Sequence, residues 1–147
     1  MDGTYGPQNA TLTIHTKRAG AAAKAGHDLR IEVTAWEATV ADGRVTLTAD
    51  PDSLKVIDGS GGVKALDDDD KRNIEQTIRE EVLMGKPISY EDGELTLNGQ
   101  THPVAATVTD TGGEAVITQT KWGIKPYSAL FGTLKVADDV RVEGRLN

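Results

Sequence analysis

The chain has 147 residues, a formal net charge of −7 and no cysteine. This length is typical of one compact domain, so we predict a single domain over residues 1–147. The lack of cysteine excludes disulfides, thiol catalysis and iron–sulfur ligation. The acidic balance argues against nucleic acid and against an anionic membrane as partners, because each requires a concentrated basic surface.

Signals for export or for membrane insertion are missing from the sequence. Residues 1–4 do not form a basic stretch followed by an apolar one, and no apolar run approaches the roughly 18 residues that span a bilayer. We therefore expect a cytoplasmic protein without integral membrane contact.

The first part of the chain alternates apolar and polar residues with a period of two, which is typical of half-buried strands. The alternation covers 10–15, resumes at Leu29 and changes phase at Trp36. Such a phase change indicates either a β-bulge near Ala35 or a Trp36 side chain in solvent. Asp42–Gly43 predicts a turn, with a third strand after it.

One amphipathic helix is predicted over 67–84. Apolar residues recur at four-residue spacing from Ile74 to Val82, after an acidic run at 67–70, and Gly85 ends the pattern. We interpret the acidic run as a helix cap, because a calcium loop requires acids at alternating positions and a distal glutamate.

The second half of the chain again predicts short strands joined by tight turns. Asn98–Gly99 is the strongest hairpin signal, and Gly112–Gly113 predicts a further turn. Short strands at intervals of about 8 to 12 residues, together with a single helix, indicate an all-β fold that is an antiparallel barrel or sandwich.

Few residues are candidates for chemistry. The histidines His15, His27 and His102 do not stand at metal-ligand spacing, so we predict no metal site. His27 and Asp28 precede a strand, where side chains reach the mouth of a barrel, although a turn held by Asp28 is the stronger interpretation. Ser128 lacks a nucleophile elbow, and we expect no catalytic residue and no cofactor.

The most unusual stretch is 121–132. Pro126 interrupts a strand there, and Tyr127, Leu130 and Phe131 are predicted to share one face of a helical turn. Large apolar groups at a barrel end either fill the core or line a cavity. From the residues alone, filling is the favoured alternative.

Three blocks of the sequence carry a family resemblance. They are Ala25–Leu29 with Val33 and Trp36, Gly93–Gly99 with His102–Val104, and Gln119–Val136. Together they resemble the bacterial YceI-like lipid/polyisoprenoid-binding family. The resemblance implies a lipocalin-like antiparallel β-barrel of about eight strands that encloses a long isoprenoid or a related amphiphile and lacks known catalytic residues. It places Trp122, Tyr127 and Phe131 near the cavity, which turns the interpretation from filling to lining.

We therefore predict a non-enzymatic carrier of an apolar amphiphile such as a polyisoprenoid. The residues predicted to bound the cavity are Leu29, Ile31, Val33, Trp122, Ile124, Tyr127, Leu130 and Phe131. A head group would meet His27, Asp28 or Gln119. One alternative is a structural or protein-interaction barrel with a filled core and no ligand, and another is an enzyme that uses His27 and Asp28.

The chain departs from the family at one place. Only Ile88–Asp92 separates the helix from the block that begins at Gly93, about a strand pair fewer than in other members. We expect a barrel that is shortened or open on that side. An exposed strand edge there would favour a homodimer or strand exchange.

Overall fold

The computed structural model describes residues 2–19, 27–60, 66–129 and 134–147. The strands within them are β1 (Gly3–Tyr5), β2 (Ala10–His15), β3 (Arg18–Ala19), β4 (Asp28–Val33), β5 (Trp36–Ala41), β6 (Arg44–Ala49), β7 (Leu54–Ser60), β8 (Ile88–Glu91), β9 (Glu94–Leu97), β10 (Gln100–Pro103), β11 (Ala106–Thr109), β12 (Gly112–Thr118), β13 (Ser128–Ala129), β14 (Leu134–Val136) and β15 (Asp139–Leu146). The helix α1 (Asp68–Thr77) continues as a π-helical segment, Ile78–Leu83, and a 3₁₀ turn covers Gln119–Trp122.

The strands form two large antiparallel sheets and a small one. The first sheet has the order β1-β5-β6-β8-β9-β10 and the second β11-β12-β15-β2-β4-β7, while β13-β14-β3 form the small sheet. Within the described ranges, no strand pair joins the two large sheets. The confirmed prediction is therefore the all-β class with one helix, and the pairings give two large antiparallel sheets.

Several strands of one large sheet continue into strands of the other after a short break. Residues 34–35 separate β4 from β5, residues 50–53 separate β6 from β7, and residues 104–105 separate β10 from β11. The two sheets are thus connected by chain segments that bend from one into the other, which places their inner faces around a shared interior.

The phase change at Trp36 is one of these bends. Thr34 and Ala35 are both exposed, whereas Trp36 is half-buried and faces the interior. Thr34 N donates to Ser53 O and Asp50 N donates to Ala35 O, each at 2.9 Å. These bonds join the break between β4 and β5 to the break between β6 and β7, so the two neighbouring chain segments bend at the same place. The chain bends between β4 and β5 at residues 34–35 instead of forming the predicted β-bulge, and the alternative of a solvent-facing Trp36 is also wrong.

Tight turns connect the neighbouring strands. Both residues have positive φ in Asp42–Gly43 (52° and 76°), Asp92–Gly93 (51° and 77°) and Asn98–Gly99 (53° and 72°). This is the geometry of type I′ hairpin turns, which favours Asn or Asp followed by Gly. The turns predicted at Asp42–Gly43 and Asn98–Gly99 are confirmed.

Together, α1 and the π-helical segment cover Asp68–Leu83, which confirms the helix predicted over 67–84. Asp67 Oδ1 accepts from Asp70 N at 2.8 Å and Asp70 Oδ2 accepts from Asp67 N at 3.2 Å, which forms a reciprocal capping box. Met84, with φ of 50°, and Gly85, with φ of 69°, end the helix in the left-handed region. Among the described residues, no helix combines the length and the apolar character that crossing a membrane requires.

The short segment before Gly93 does not open the first sheet. Strand β8 pairs with β6, where Tyr90 is opposite Leu47, and with β9, where Tyr90 is opposite Leu95. Tyr90 Oη also donates to Val104 O at 2.7 Å. Because β8 fills the space between β6 and β9, the described residues show no unpaired edge there, and the reason for expecting a homodimer at this place no longer holds.

Helix α1 covers the edge of the second sheet. It lies against β7, the last strand of that sheet, and Glu75 Oε2 accepts from Val56 N at 2.8 Å. A carboxylate that binds an edge donor satisfies the backbone and blocks further strand pairing. The helix is therefore fixed beside the interior that the sheets enclose.

Candidate functional site

A cavity of about 690 Å³ is lined by residues of both large sheets and of the helical segment. Most of the lining side chains are aliphatic and come from the inward positions of the strands. The volume falls within the range of about 300–1,000 Å³ that is usual for pockets enclosing small ligands. This cavity is the candidate functional site.

The wall formed by β2 and β4 shows how the alternation in the sequence produces an apolar surface. Leu29, Ile31 and Val33 all line the cavity, as predicted from their spacing. Leu12 is opposite Val33 and Ile14 is opposite Ile31 across the strand pair. Such cross-strand aliphatic pairs form a continuous surface without polar gaps. A contact of the three predicted residues with a ligand remains a prediction.

Further along the same sheet, a glycine allows β12 and β15 to approach closely. A Cβ on Gly112, where φ is 157°, would lie 2.0 Å from Gly144 O and 3.1 Å from Arg145 Cα. The turn predicted at Gly112–Gly113 is wrong by two residues, because Asp110–Thr111 form the turn and both glycines begin β12. The glycines serve strand packing rather than chain reversal.

Polar groups line the cavity where the small sheet joins the second large sheet. They are Thr16, His27, Gln119 and Tyr127. Backbone hydrogen bonds bring their segments together, since Ala137 N donates to Lys17 O at 2.7 Å and Val136 N donates to Tyr127 O at 3.0 Å. We call this end of the cavity the mouth, because Tyr127 lines the cavity and is also 49% exposed.

The buried polar groups of the mouth are satisfied within the protein. Thr16 N donates to Leu29 O at 3.0 Å, and Thr16 Oγ1 accepts from Leu29 N at 3.2 Å. Gln119 Nε2 donates to Ala137 O at 3.2 Å, which leaves its side-chain carbonyl as an acceptor. No buried side-chain nitrogen or oxygen of the described residues lacks a hydrogen-bond partner. The mouth is therefore a formed structure that offers a few polar contacts.

Asp28 was predicted to meet a head group, but it does not line the cavity. Its Oδ1 accepts from Arg18 N at 2.8 Å, and its Oδ2 lies 3.8 Å from Lys17 Nζ. The carboxylate thus ties β3 to the start of β4. The interpretation that Asp28 holds a turn is thus correct only in that its carboxylate binds a backbone N–H, because the donor lies ten residues away in β3.

Trp122 lies behind the cavity wall rather than on it. The side chain is 1% exposed and packs in a buried cluster, and it is not among the lining residues of the described chain. The indole Nε1 donates to Leu95 O at 3.0 Å, and the His102 ring meets it edge-on at 5.4 Å. A buried indole requires a partner for its N–H, and β9 supplies one. Asn98 Nδ2 fixes the same segment by donating to Trp122 O at 2.8 Å.

The rest of the 121–132 segment divides between cavity and mouth. Ile124 is buried and lines the cavity, and Tyr127 lines the mouth. Leu130 and Phe131, also predicted to bound the cavity, lie outside the described residues. The helical turn predicted to start near Tyr127 is wrong at its beginning, because Ser128–Ala129 form β13.

The helix contributes lining residues that the sequence analysis missed. Its lining residues are Asp70, Asn73, Ile74 and Thr77, followed by Ile78, Val82 and Leu83 in the π-helical segment. The four-residue spacing of the apolar positions indicated an amphipathic helix but not what it faces. No residue of α1 is fully buried, and its apolar stripe lines the cavity at Ile74.

The charged cluster of the molecule lies on the outer face of the second sheet. His15 Nε2 is 3.2 Å from Glu143 Oε1, and Arg141 Nη1 is 3.5 Å from Glu143 Oε2. Burial raises the pKa of Glu143, whereas the hydrogen bond from His15 and the guanidinium groups of Arg141 and Arg145 lower it. The lowering effects are larger together, so the pKa of Glu143 is below its ordinary value. No group of three or more metal-binding side chains occurs within the described ranges.

Comparison with known proteins agrees with this architecture. Residues 5–147 match the YceI-like domain, a range that includes every strand from β2 to β15 and the cavity they line. No curated protein matches the chain. Since the match extends over nearly the whole sequence, the chain belongs to the YceI-like domain family.

Proposed function

We propose that the protein is a non-enzymatic carrier that holds the apolar part of a long amphiphile in its cavity. The observation that carries the proposal is a space of about 690 Å³ with walls that are largely aliphatic. Burial of each CH₂ contributes roughly 0.8 kcal/mol without directional contacts, so a flexible isoprenoid or related lipid suits such walls. Polyisoprenoids are also the ligand class that the family resemblance implies.

The size of the cavity favours a carrier over a structural barrel with a filled core. A filled core would leave no space of about 690 Å³ between the sheets. Apolar walls hold water poorly, so an apolar ligand is the occupant that suits this space.

The strand pairings support a single barrel around the cavity. Traced through the bends, and through the four residues between β1 and β2, they lead around eight continuous strands and back to the first. These strands are β1/β2, β4/β5, β6/β7, β8, β9, β10/β11, β12 and β15. A barrel of about eight strands has an interior that can hold one small ligand.

The polar residues of the mouth suit the head group of the amphiphile. His27, Gln119 and Tyr127 line the mouth and can contact a polar head group, while most of the other lining side chains are aliphatic. An enzyme that uses His27 and Asp28 has less support, because the Asp28 carboxylate binds Arg18 N and does not line the cavity. The mouth therefore fits the binding of a head group better than acid–base catalysis.

Native mass spectrometry of protein purified without detergent tests the proposal. We expect a bound mass that disappears after organic extraction, and we expect the extract to contain an amphiphile with a long apolar chain. The extracted protein should take up an added polyprenol. A protein that is unbound after purification and takes up no polyprenol would favour the structural alternative.

A further inference from the structure

Strand β11 is the last strand of the second sheet, and one of its two edges is unpaired. The strand pairs with β12 along its other edge. On the unpaired side, β9 pairs with β10 only as far as Glu94, which is opposite Pro103. The chain before Glu94 turns back at Asp92–Gly93 into β8 instead of continuing beside β11. Within the described ranges, no strand therefore pairs with the second edge of β11.

The inward residues of β11 are exposed, unlike the residues opposite them. Ala106 and Val108 both line the cavity, yet both are exposed, Val108 by 39%. Their partners on β12, Ala115 and Gly113, are half-buried. A side chain that lines a cavity and also meets solvent marks an opening of that cavity, as Tyr127 does at the mouth. We call the place beside Ala106 and Val108 the side opening.

The side opening lies away from the mouth, and β12 runs from one to the other. Gly113 is opposite Val108, while Gln119, which follows the strand, lines the mouth. Six residue steps of extended strand span about 20 Å. Ala115 and Ile117 line the cavity between these two positions. An amphiphile with its head group at the mouth can therefore direct its apolar end along β12 toward the side opening.

Two charged residues near the side opening do not make it polar. Glu114 and Arg145 are among the lining residues, but both take part in ion pairs. Glu114 Oε2 lies 3.4 Å from Arg141 Nη1, and Arg145 Nη2 lies 3.9 Å from Glu143 Oε2. Both residues thus belong to the charged cluster on the outer face of the second sheet. The inward side chains of β11 itself are aliphatic.

The volume of the cavity limits how much of an apolar chain it can enclose. If each carbon takes about 30 Å³, the share of one water molecule in the liquid, 690 Å³ holds a chain of roughly 23 carbons. Long polyprenols have more carbons than this, so part of such a chain must stay outside the interior. An interior that opened only at the mouth would force this surplus past the head group.

We propose that the surplus of a long polyprenyl chain leaves the interior between Ala106, Val108 and the end of the β8–β9 hairpin, so that the protein binds chains longer than its cavity. The inference rests on the proposed carrier function and specifies its ligand class. The head group keeps its contacts at the mouth, because the chain passes from one opening to the other. Each CH₂ within the walls adds to the affinity, whereas those beyond Val108 add little. The affinity should therefore reach a plateau as the chain lengthens.

Displacement of a fluorescent apolar probe by two prenols tests the proposal on the full chain. Farnesol is short enough to fit inside the cavity, and solanesol is too long. We expect the original protein to bind solanesol at least as tightly as farnesol. Val108→Trp narrows the side opening, and it should weaken solanesol about tenfold more than farnesol, because the surplus chain then displaces the head group from its hydrogen bonds at the mouth.

Thr107→Trp is the matched control for the added ring. Thr107 is exposed on the same strand and does not line the cavity. This variant should therefore leave the ratio of the two affinities unchanged. Ala106→Trp narrows the side opening from the neighbouring inward position and should act like Val108→Trp, so the test does not depend on the folding of one variant.

The two prenols separate the side opening from the carrier function. An unchanged affinity ratio in both Val108→Trp and Ala106→Trp would overturn the side opening and leave the carrier function intact. The same conclusion follows if the original protein binds farnesol but binds solanesol much more weakly. A protein that binds neither prenol contradicts both proposals.

Discussion

The β4 wall and Trp122 were both predicted to bound the cavity, but only the β4 residues line it. In β4, alternation along a regular strand determines which side chains face inward, and Leu29, Ile31 and Val33 line the cavity. Around Trp122 the chain forms a 3₁₀ turn without a period of two, and a distant acceptor, Leu95 O, determines where the indole lies. Periodic elements can be oriented from sequence, while irregular ones depend on long-range partners.

Replacement of Trp122 by Ala gives the largest effect that this comparison predicts. Loss of a fully buried ring should lower the free energy of unfolding by about 3–5 kcal/mol, as measured by urea denaturation. Because Trp122 lies behind the wall, amphiphile uptake per folded molecule should be unchanged. Trp122→Phe keeps a buried aromatic ring but leaves Leu95 O without its indole donor. It should therefore lower the free energy of unfolding by less than Trp122→Ala. Reduced uptake in a Trp122→Ala protein that remains folded would contradict the position of Trp122 behind the cavity wall.

Gly112→Ala tests the close approach of β12 and β15 in the second large sheet. The added Cβ would meet Gly144 O at 2.0 Å, so β12 and β15 must separate. We expect a loss of about 1–3 kcal/mol, typical of overpacking, in the same denaturation experiment. Gly113→Ala is the control, because the nearest atom to its Cβ is Thr107 O at 3.3 Å. Equal losses in the two variants would contradict the special role of Gly112.

Filling the cavity from a strand position should block the ligand without unfolding the protein. Ala38 is buried on β5 and lines the cavity, whereas its neighbour Thr39 is exposed. Ala38→Phe should weaken polyprenol binding about tenfold, or roughly 1.4 kcal/mol, by occupying volume that the chain needs. Thr39→Phe adds the same ring on the outer face and should leave binding unchanged. Equal affinities of the two variants would argue against an internal ligand.

The smallest predicted effect concerns pH and the outer charged cluster. The pKa of Glu143 in the folded protein lies below its ordinary value of 4.5, so the carboxylate stabilises the fold above that pH. This stabilisation is lost as the pH falls below 4.5 through the folded pKa. Glu143→Gln should flatten the decline of stability in acid and change neutral stability by at most about 1 kcal/mol. An unchanged acid decline in the variant would show that Glu143 does not contribute to it.

Much of the fold was predictable because its causes are local. The Asn98–Gly99 turn follows from the tolerance of positive φ at both residues, and the start of α1 follows from the capping box of Asp67 and Asp70. The alternation of β4 is likewise read directly along the chain. Each of these features is determined by residues within a few positions of one another.

The remaining features depend on residues far apart in sequence. Gly112 is required by β15, which lies about thirty residues further along, and the inward turn of α1 depends on the space between two sheets. The polar end of the cavity forms only where Thr16, Gln119 and Tyr127 meet, so no single stretch of sequence reveals it.

Methyl NMR during titration with a polyprenol tests the central claim that an apolar chain occupies the interior. The account predicts shifts of the methyl groups of Leu12, Ile31 and Leu47, which line the cavity from three strands. Val116 is 54% exposed on the outer face and should not shift. Shifts confined to Val116 and other outer methyl groups, or none at all at saturating polyprenol, would contradict the claim.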